Sequence, residues 1–291
     1  MTQKRIEIIA NPNSGSINIG KLEKACEHIN RFVPAKIVFT KTFEHAIEVS
    51  KEVSLKPDVI PVVCGGDGTI FTYINNASLD KFFAIVPGGT ANVVAKELGI
   101  PFNTLMACKT ILTAAVKDID VGVCNKKKFL FVAGVGFDAE VAANVSKSIK
   151  AKIGQYAYHL SSLKTLLTYS PPKLEVFVDD ILKPYIGEYA IISNMRRYGG
   201  DLFFAPKARY DDGLLDVLLL KSFTVKSLIK LLKYAKGIGA FPSEYAYEFK
   251  CSRLNIIADS AVPFQLDGEV FDPQNLFEFA ILSEKAKIIT P

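Results

Sequence analysis

No tryptophan occurs among the 291 residues, so the aromatic bulk comes from 20 Phe and 11 Tyr. Histidine is nearly as scarce. His28, His45 and His159 stand alone in helix-like contexts and read as surface or packing residues rather than ligands. The five cysteines, Cys26, Cys64, Cys108, Cys124 and Cys251, are scattered, odd in number and without CxxC spacing. That pattern speaks against a zinc site and for buried free thiols in a reducing cytosol. No apolar run reaches the ~18 residues of a membrane span, and the opening "MTQKRIEIIANP" has no apolar signal core. The chain is therefore expected not to span a membrane and to be cytoplasmic. Charge is only weakly one-sided, at +5 net with 22% charged residues. This suits an anionic ligand or an anionic membrane surface, and no nucleic-acid partner is expected. Internal repeats, low-complexity tracts and long linkers are absent.

What is present is rhythm. "KRIEIIA", "AKIVFT", "VIPVVC" and "KFFAIV" read as strands, and helical spacing follows at residues 20–33 and 43–53, from Thr69, and over Thr90–Leu98. Strand and helix alternate four times, which predicts an N-terminal doubly wound, Rossmann-like α/β domain. After about residue 117 the pattern changes. "IDVGVCN", "KFLFVAGVGF", "KLEVFVDD", "YIGEYAIISN", "GLLDVLLL", "YEFKCSRLNIIA", "PFQLDGE" and "LFEFAIL" read as strands, interrupted by helices near 155–169 and 224–237. This predicts a C-terminal antiparallel β-sandwich. The expected division is 1–118, 119–282, and a segment 283–291 returning to the first domain.

Three strands of the first domain end in glycine-bearing loops: "NPNSG" at 11–15, "GGDGT" at 65–69 and "PGGTAN" at 87–92. In a parallel sheet these ends share one edge, where ligands bind. Glycines let backbone N–H groups approach phosphate oxygens, and the helices that follow add their positive ends. Thr69 and Thr90 are expected to open those helices, where a hydroxyl can cap or bind phosphate. No GxxxxGK[ST] or GxGxxG occurs. Asp67 inside such a loop suggests Mg²⁺ or a hydrogen-bonding role; a plain turn aspartate is the alternative.

Taken together, "NPNSG", "GGDGT", "PGGTANVVAKELGIP", "GVGFDAEV", "DDGLLDV" and "LDGE" resemble the bacterial diacylglycerol kinase family, soluble lipid kinases related to sphingosine kinases and NAD kinases. The ordered match covers about residues 4–282. The resemblance implies ATP held between two domains and transfer of its γ-phosphoryl group to a lipid hydroxyl, of diacylglycerol or a related lipid. It implies ATP contacts from Asn11, Pro12, Asn13, Ser14, Gly15, Thr40, Gly66, Asp67, Gly68, Thr69 and Thr90. It further implies a structural Mg²⁺ on the Asp212 carboxylate with the backbone carbonyls of Arg209 and Leu214. The general base would be Glu269 or Asp267. If "LDGE" is extended, both carboxylates share a face, one for Mg²⁺ and one for the proton; Asp267-Gly268 is equally a hairpin-turn signal.

The chain departs from the family at three points. Val93 stands where Asp is frequent, Ser16 where a basic residue is frequent, and Ser193-Asn194-Met195 where a Gly-Asn-Gly-like start is usual. Arg196 and Arg197 beside the last are candidates for phosphate pairing. The stretch "TVKSLIKLLKYAKG" sets Lys226, Lys230, Lys233 and Lys236 against Leu228, Ile229, Leu231 and Leu232. Such a helix either lies on an anionic membrane or packs on the sandwich with a solvated lysine face. Transient contact with the inner membrane face is one expectation, and a homodimer is left open. The rival functions are a NAD kinase-like small-molecule kinase and a nucleotide-binding regulator without turnover.

Overall fold

The structure is a computed structural model of the chain. It describes residues 4–12, 14–15, 17–113, 115–143, 169–179, 181, 183–199 and 202–291. Two compact units emerge, Met1–Ile119 with Ser283–Pro291, and Asp120–Leu282.

The first unit is built on four parallel strands, β1 (Arg5–Ala10), β2 (Ala35–Phe39), β3 (Val59–Gly65) and β4 (Ala84–Pro87), in the order β2-β1-β3-β4. β1 and β3 are central and read as nearly continuous apolar runs, because helices cover both faces of such a sheet. Those helices are α1 (Ile19–Asn30), α2 (Phe43–Leu55), α3 (Asp67–Asn76), α4 (Val93–Leu98) and α5 (Thr104–Thr113). α1 starts at Asn18, whose side chain accepts from the Lys21 amide, and α2 at Thr42, which accepts from the His45 amide. Leu22, Ala25, Cys26 and Ile29 of α1 recur at helical spacing and are all buried. A final pair, β5 (Ala115–Ile119) with β16 (Ala286–Thr290), is antiparallel, and Ile288 bridges to Phe83.

The second unit is one antiparallel sheet. Its strands are β6 (Gly122–Cys124), β7 (Lys127–Phe129), β8 (Val132–Val135), β9 (Leu174–Val178), β10 (Tyr185–Gly187), β11 (Tyr189–Ser193), β12 (Leu215–Leu220), β13 (Ala246–Cys251), β14 (Arg253–Leu266) and β15 (Glu269–Ile281). Their order is β13-β12-β11-β8-β14-β15-β6-β7, with β9 on β14 and β10 on β9. β14 serves two neighbours along one edge, β9 through Leu254–Ala258 and β8 through Phe264–Leu266. Register irregularities between Ile257 and Phe264 separate the two, as bulges do where a strand changes partner. Helices α6 (Phe137–Ala143) and α7 (Val225–Ala235) complete the unit.

The sequence pattern merged some elements. "KFLFVAGVGF" breaks into β7, β8 and the start of α6, and "YIGEYAIISN" into β10 and β11, because apolar patterning does not reveal a bend within the run. α5, α6 and β5 went unanticipated, and β16 was expected only as a segment returning to the first domain; α6 is too short for a periodic signal. The helix expected near 155–169 lies outside the described residues except for Tyr169. All five cysteines are buried and unpaired. Burial pushes the Cys64, Cys108 and Cys251 thiols up to about 12, which leaves them unreactive.

Candidate functional site

Because β1 to β4 are parallel, their C-terminal ends share one edge. The chain runs from β1 outward to β2 on one side and β3 on the other, so the topological switch point lies beyond β1 and β3. The loops there are tied together. The Asn11 amide donates to the Cys64 carbonyl at 3.3 Å, the Thr40 amide to the Ala10 carbonyl at 2.9 Å, and the Gly88 amide to the Gly65 carbonyl at 2.8 Å. The Ser14 amide closes the first loop onto the Asn11 carbonyl at 3.1 Å, and Pro12 is half-buried beside it. Gly15 faces Thr90, whose Oγ1 lies 3.4 Å from where a β-carbon would stand. Asn11, Pro12, Ser14, Gly15, Thr40, Gly66, Asp67, Gly68, Thr69 and Thr90 thus gather at one edge; Asn13 and Ser16 lie outside the described residues. A cleft of about 260 Å³ opens there, lined in part by Leu22, Val86, Phe102 and Thr104.

The glycines answer to close backbone packing. A β-carbon on Gly66 would sit 3.0 Å from the Gly89 α-carbon, one on Gly89 would strike Gly66, and one on Gly65 would strike the Thr69 side chain. Neither backbone can yield without moving its loop. Gly89→Ala is therefore expected to destabilise the first unit by about 1–3 kcal/mol, read as a lower melting temperature.

Thr69 and Thr90 do not open their helices. α3 begins at Asp67, which leaves Thr69 inside the first turn. α4 begins at Val93, and Thr90 is an exposed loop residue before it. The loop is held by Asn92, in the left-handed region at φ 47°, whose side chain accepts from the Gly89 amide at 2.8 Å and donates to the Gly89 carbonyl at 2.6 Å. That geometry takes Asn92 out of the helix and leaves α4 without a cap from its own chain segment. Asp67 supplies it: Oδ1 accepts from the Val94 amide at 3.2 Å, across 27 residues. Burial pushes the Asp67 carboxyl above its ordinary range, and the Val93 and Val94 amides partly counter this.

In the second unit, "LDGE" is a hairpin. Leu266 pairs with Glu269, and Asp267 (φ 51°) and Gly268 (φ 84°) form the two-residue turn. Successive left-handed residues define a type I′ turn, which suits Asp-Gly. The two carboxylates consequently have different environments. Asp267 is 5% exposed, and its oxygens accept from the Leu130 (2.7 Å), Phe131 (2.9 Å) and Val132 (3.0 Å) amides. Its own amide donates to the Val132 carbonyl at 2.8 Å. Asn194, in the departing "SNM" segment, donates to the Leu130 carbonyl at 2.7 Å and braces the same 130–132 segment. Glu269 is exposed at the start of β15.

A second carboxylate supports this turn. The Gln265 side chain accepts from the Gly268 amide at 2.8 Å and donates to Asp138 at 2.9 Å; the Tyr198 hydroxyl donates to Asp138 at 2.6 Å. Here the "GVGFD" spacing acquires a reason. Gly134 leaves the space that the Asp138 carboxylate fills, and Gly136 turns the chain into α6 at φ 112°. Sequence reasoning assigned Asp138, Gln265 and Tyr198 no role. An acid directly after the apolar run "GVGF" was the available signal. Burial raises the Asp138 carboxyl above its ordinary range, outweighing the Tyr198 and Gln265 hydrogen bonds. A carboxyl raised in the folded state contributes stability that is complete below the unfolded value and lost as pH rises through the folded value. Asp138→Asn is expected to flatten the change in melting temperature over that window, measured by calorimetry at graded pH.

The corner around Asp212 differs from the ligand set implied by resemblance. Asp212 Oδ2 lies 2.8 Å from the Lys250 ammonium, which also reaches Asp216 at 3.3 Å, while Asp212 Oδ1 accepts from the Leu214 amide at 3.2 Å. Arg209 pairs with Asp211 at 3.1 Å. Buried Asp120 accepts from the Gly213 amide at 2.7 Å and so fastens the loop. Among the described residues no group of three His, Cys, Asp or Glu side chains gathers as a metal cluster. A hard divalent cation takes about six or more oxygen ligands, backbone carbonyls and water included; to bind here it would have to displace the Lys250 ammonium from the Asp212 carboxylate. Of the arginine pair weighed for phosphate, the Arg197 guanidinium lies over the Phe203 ring at 4.9 Å.

Comparison with known proteins places this geometry. The diacylglycerol kinase catalytic domain matches residues 5–124, and the YegS C-terminal NAD kinase beta sandwich-like domain matches residues 132–278. A diacylglycerol kinase of Bacillus subtilis (strain 168) is 29% identical over 276 residues, covering 91% of this chain and 90% of the relative. A protein of Pseudomonas aeruginosa (strain UCBPP-PA14) named "Probable lipid kinase YegS-like" is 31% identical over 220 residues, covering 74% and 71%. A solved structure from Bacillus anthracis str. Sterne, assigned as a diacylglycerol kinase, superposes with a TM-score of 0.83 at 26% identity, over 100% of this chain and 98% of that one. With both domains matched in order and the fold shared end to end, the chain belongs to the diacylglycerol kinase and YegS-like lipid kinase family.

Proposed function

We propose that the protein transfers the γ-phosphoryl group of Mg²⁺-ATP to the hydroxyl of a lipid, diacylglycerol or a close relative. The observation that carries this reading is the edge of the first unit, where glycine-bearing loops follow three parallel strands at a switch point and two of them, at Gly66 and Gly89, lie backbone against backbone. Phosphates fit such an edge because amides, rather than long side chains, face the ligand, and the start of α3 adds its positive end. Asp67 holds the "PGGTAN" loop in place by capping α4 and, in this reading, organises the phosphate site at one remove. Mg²⁺ arrives with the nucleotide as part of the substrate, and no step passes through Asp212.

The division of labour in the hairpin follows from its hydrogen bonds. Asp267 accepts from three amides and sets the turn. Glu269 is the base: its carboxylate takes the proton of the lipid hydroxyl as that oxygen bonds to the γ-phosphorus, and the bond to the β-phosphate oxygen breaks to release ADP. The names of the relatives support a lipid acceptor.

The test is turnover of Mg²⁺-ATP by the intact protein with diacylglycerol, monoacylglycerol, sphingosine, ceramide and NAD. The expected product is a phosphorylated lipid. Turnover on NAD alone, or tight ATP binding with no acceptor in the panel or in a total lipid extract, would overturn the reading.

A further inference from the structure

Helix α7 has three sides, and one of them is unaccounted for. Ser227, Leu231 and Ala235 are buried. Val225, Ile229 and Leu232 are 59%, 50% and 43% exposed, and Ile238 just beyond the helix is 61% exposed. At 100° per residue, the three helical residues fall within about 60° of one another, and Lys226, Lys230 and Lys233 border them on one flank. An ordinary packed helix with a solvated lysine face would bury its apolar residues. Here a second apolar strip points outward.

We infer that this strip is a docking surface for an anionic lipid bilayer. From Thr224 to Ala240 the chain carries four lysines and no acid. The acids near the helix are Glu244, beside Lys226, and Glu248, which accepts from the Tyr234 hydroxyl at 3.2 Å, both exposed. With them are Glu188, accepting from the Phe223 amide at 2.6 Å, and Asp216, already paired with Lys250, acting on Tyr234. An isologous contact with a second copy would bring lysine rows together, which repels. An anionic bilayer instead takes the apolar strip into its acyl boundary and the ammonium groups at its headgroups. The helix is built to persist at such a surface: the Thr224 and Ser227 side chains form a reciprocal capping box, and Gly237 at φ 75° ends it. The inference deepens the proposed function by supplying the face at which a lipid acceptor is met, and its test needs no turnover.

The intact protein is mixed with vesicles of phosphatidylcholine alone, and with vesicles containing roughly a third phosphatidylglycerol. Both contain neither diacylglycerol nor ATP. Binding is expected only to the anionic vesicles. The triple variant Lys226→Gln, Lys230→Gln, Lys233→Gln should weaken it about a hundredfold, and Ile229→Ser with Leu232→Ser should weaken it in the same direction. Since the chain has no tryptophan, Ile229→Trp is a single reporter, and its emission should shift to the blue on anionic vesicles. Equal binding to both vesicle types, no effect of either set of substitutions, or an unshifted emission would overturn the inference. So would light scattering in which Ile229→Ser with Leu232→Ser turns a dimer into a monomer, because a second copy would then be the occupant.

Discussion

Glu269→Gln is expected to lower kcat about 10²–10⁴-fold, the usual contribution of a general base, while leaving ATP affinity and melting temperature unchanged. The side chain is exposed, begins β15, and lies on the free side of a turn whose geometry is set by other residues. Glutamine keeps the shape and removes the proton acceptor. The readout is the rate of lipid phosphorylation under saturating Mg²⁺-ATP, with ATP binding followed separately by calorimetry. A variant retaining more than about a tenth of the rate would place the base elsewhere, since general-base catalysis is worth at least that.

Asp267→Ala is expected to act on stability first. The substitution orphans the Leu130, Phe131 and Val132 amides in a buried setting. Each lost partner costs about 1–3 kcal/mol, and the effects overlap because one carboxylate serves all three. A loss of about 3–5 kcal/mol lowers the melting temperature of a domain this size by about 10 °C. Alanine also strains the left-handed position that Asp267 holds at φ 51°. Asp267→Asn should fall between, since asparagine tolerates that conformation and keeps one acceptor oxygen, but turns an NH₂ group towards a donor. Thermal unfolding by circular dichroism gives the ranking. An Asp267→Ala protein as stable as the parent, with turnover abolished, would reverse the roles assigned to the two carboxylates.

The two results address an ambiguity that spacing could not resolve. Asp267 and Glu269 are two residues apart, and whether they share a face depends on whether the segment is extended. The hairpin settles that, and the burial of Asp267 depends on amides more than 130 residues earlier. Asp67 is a similar case. Its place in a glycine loop was legible, but its partner is the Val94 amide on another loop. Lys250 and Asp212 meet across 38 residues, and no local pattern links them. Helix α7 was legible as amphipathic, yet its outward apolar strip emerged only from packing, which buries the Ser227, Leu231 and Ala235 side.

The strands and helices of the first unit, its glycine loops and their common edge could be read from the chain because they rest on local causes. Apolar periodicity selects the element, glycine permits the tight approach, and parallel connection places the loops together. Which carboxylate is held and which is free, what caps α4, what neutralises Asp212 and which face of α7 meets solvent are products of distant residues brought into contact. Hydrogen bonds and burial are set by distance in space, and one chain pattern is compatible with many such arrangements until the core packs.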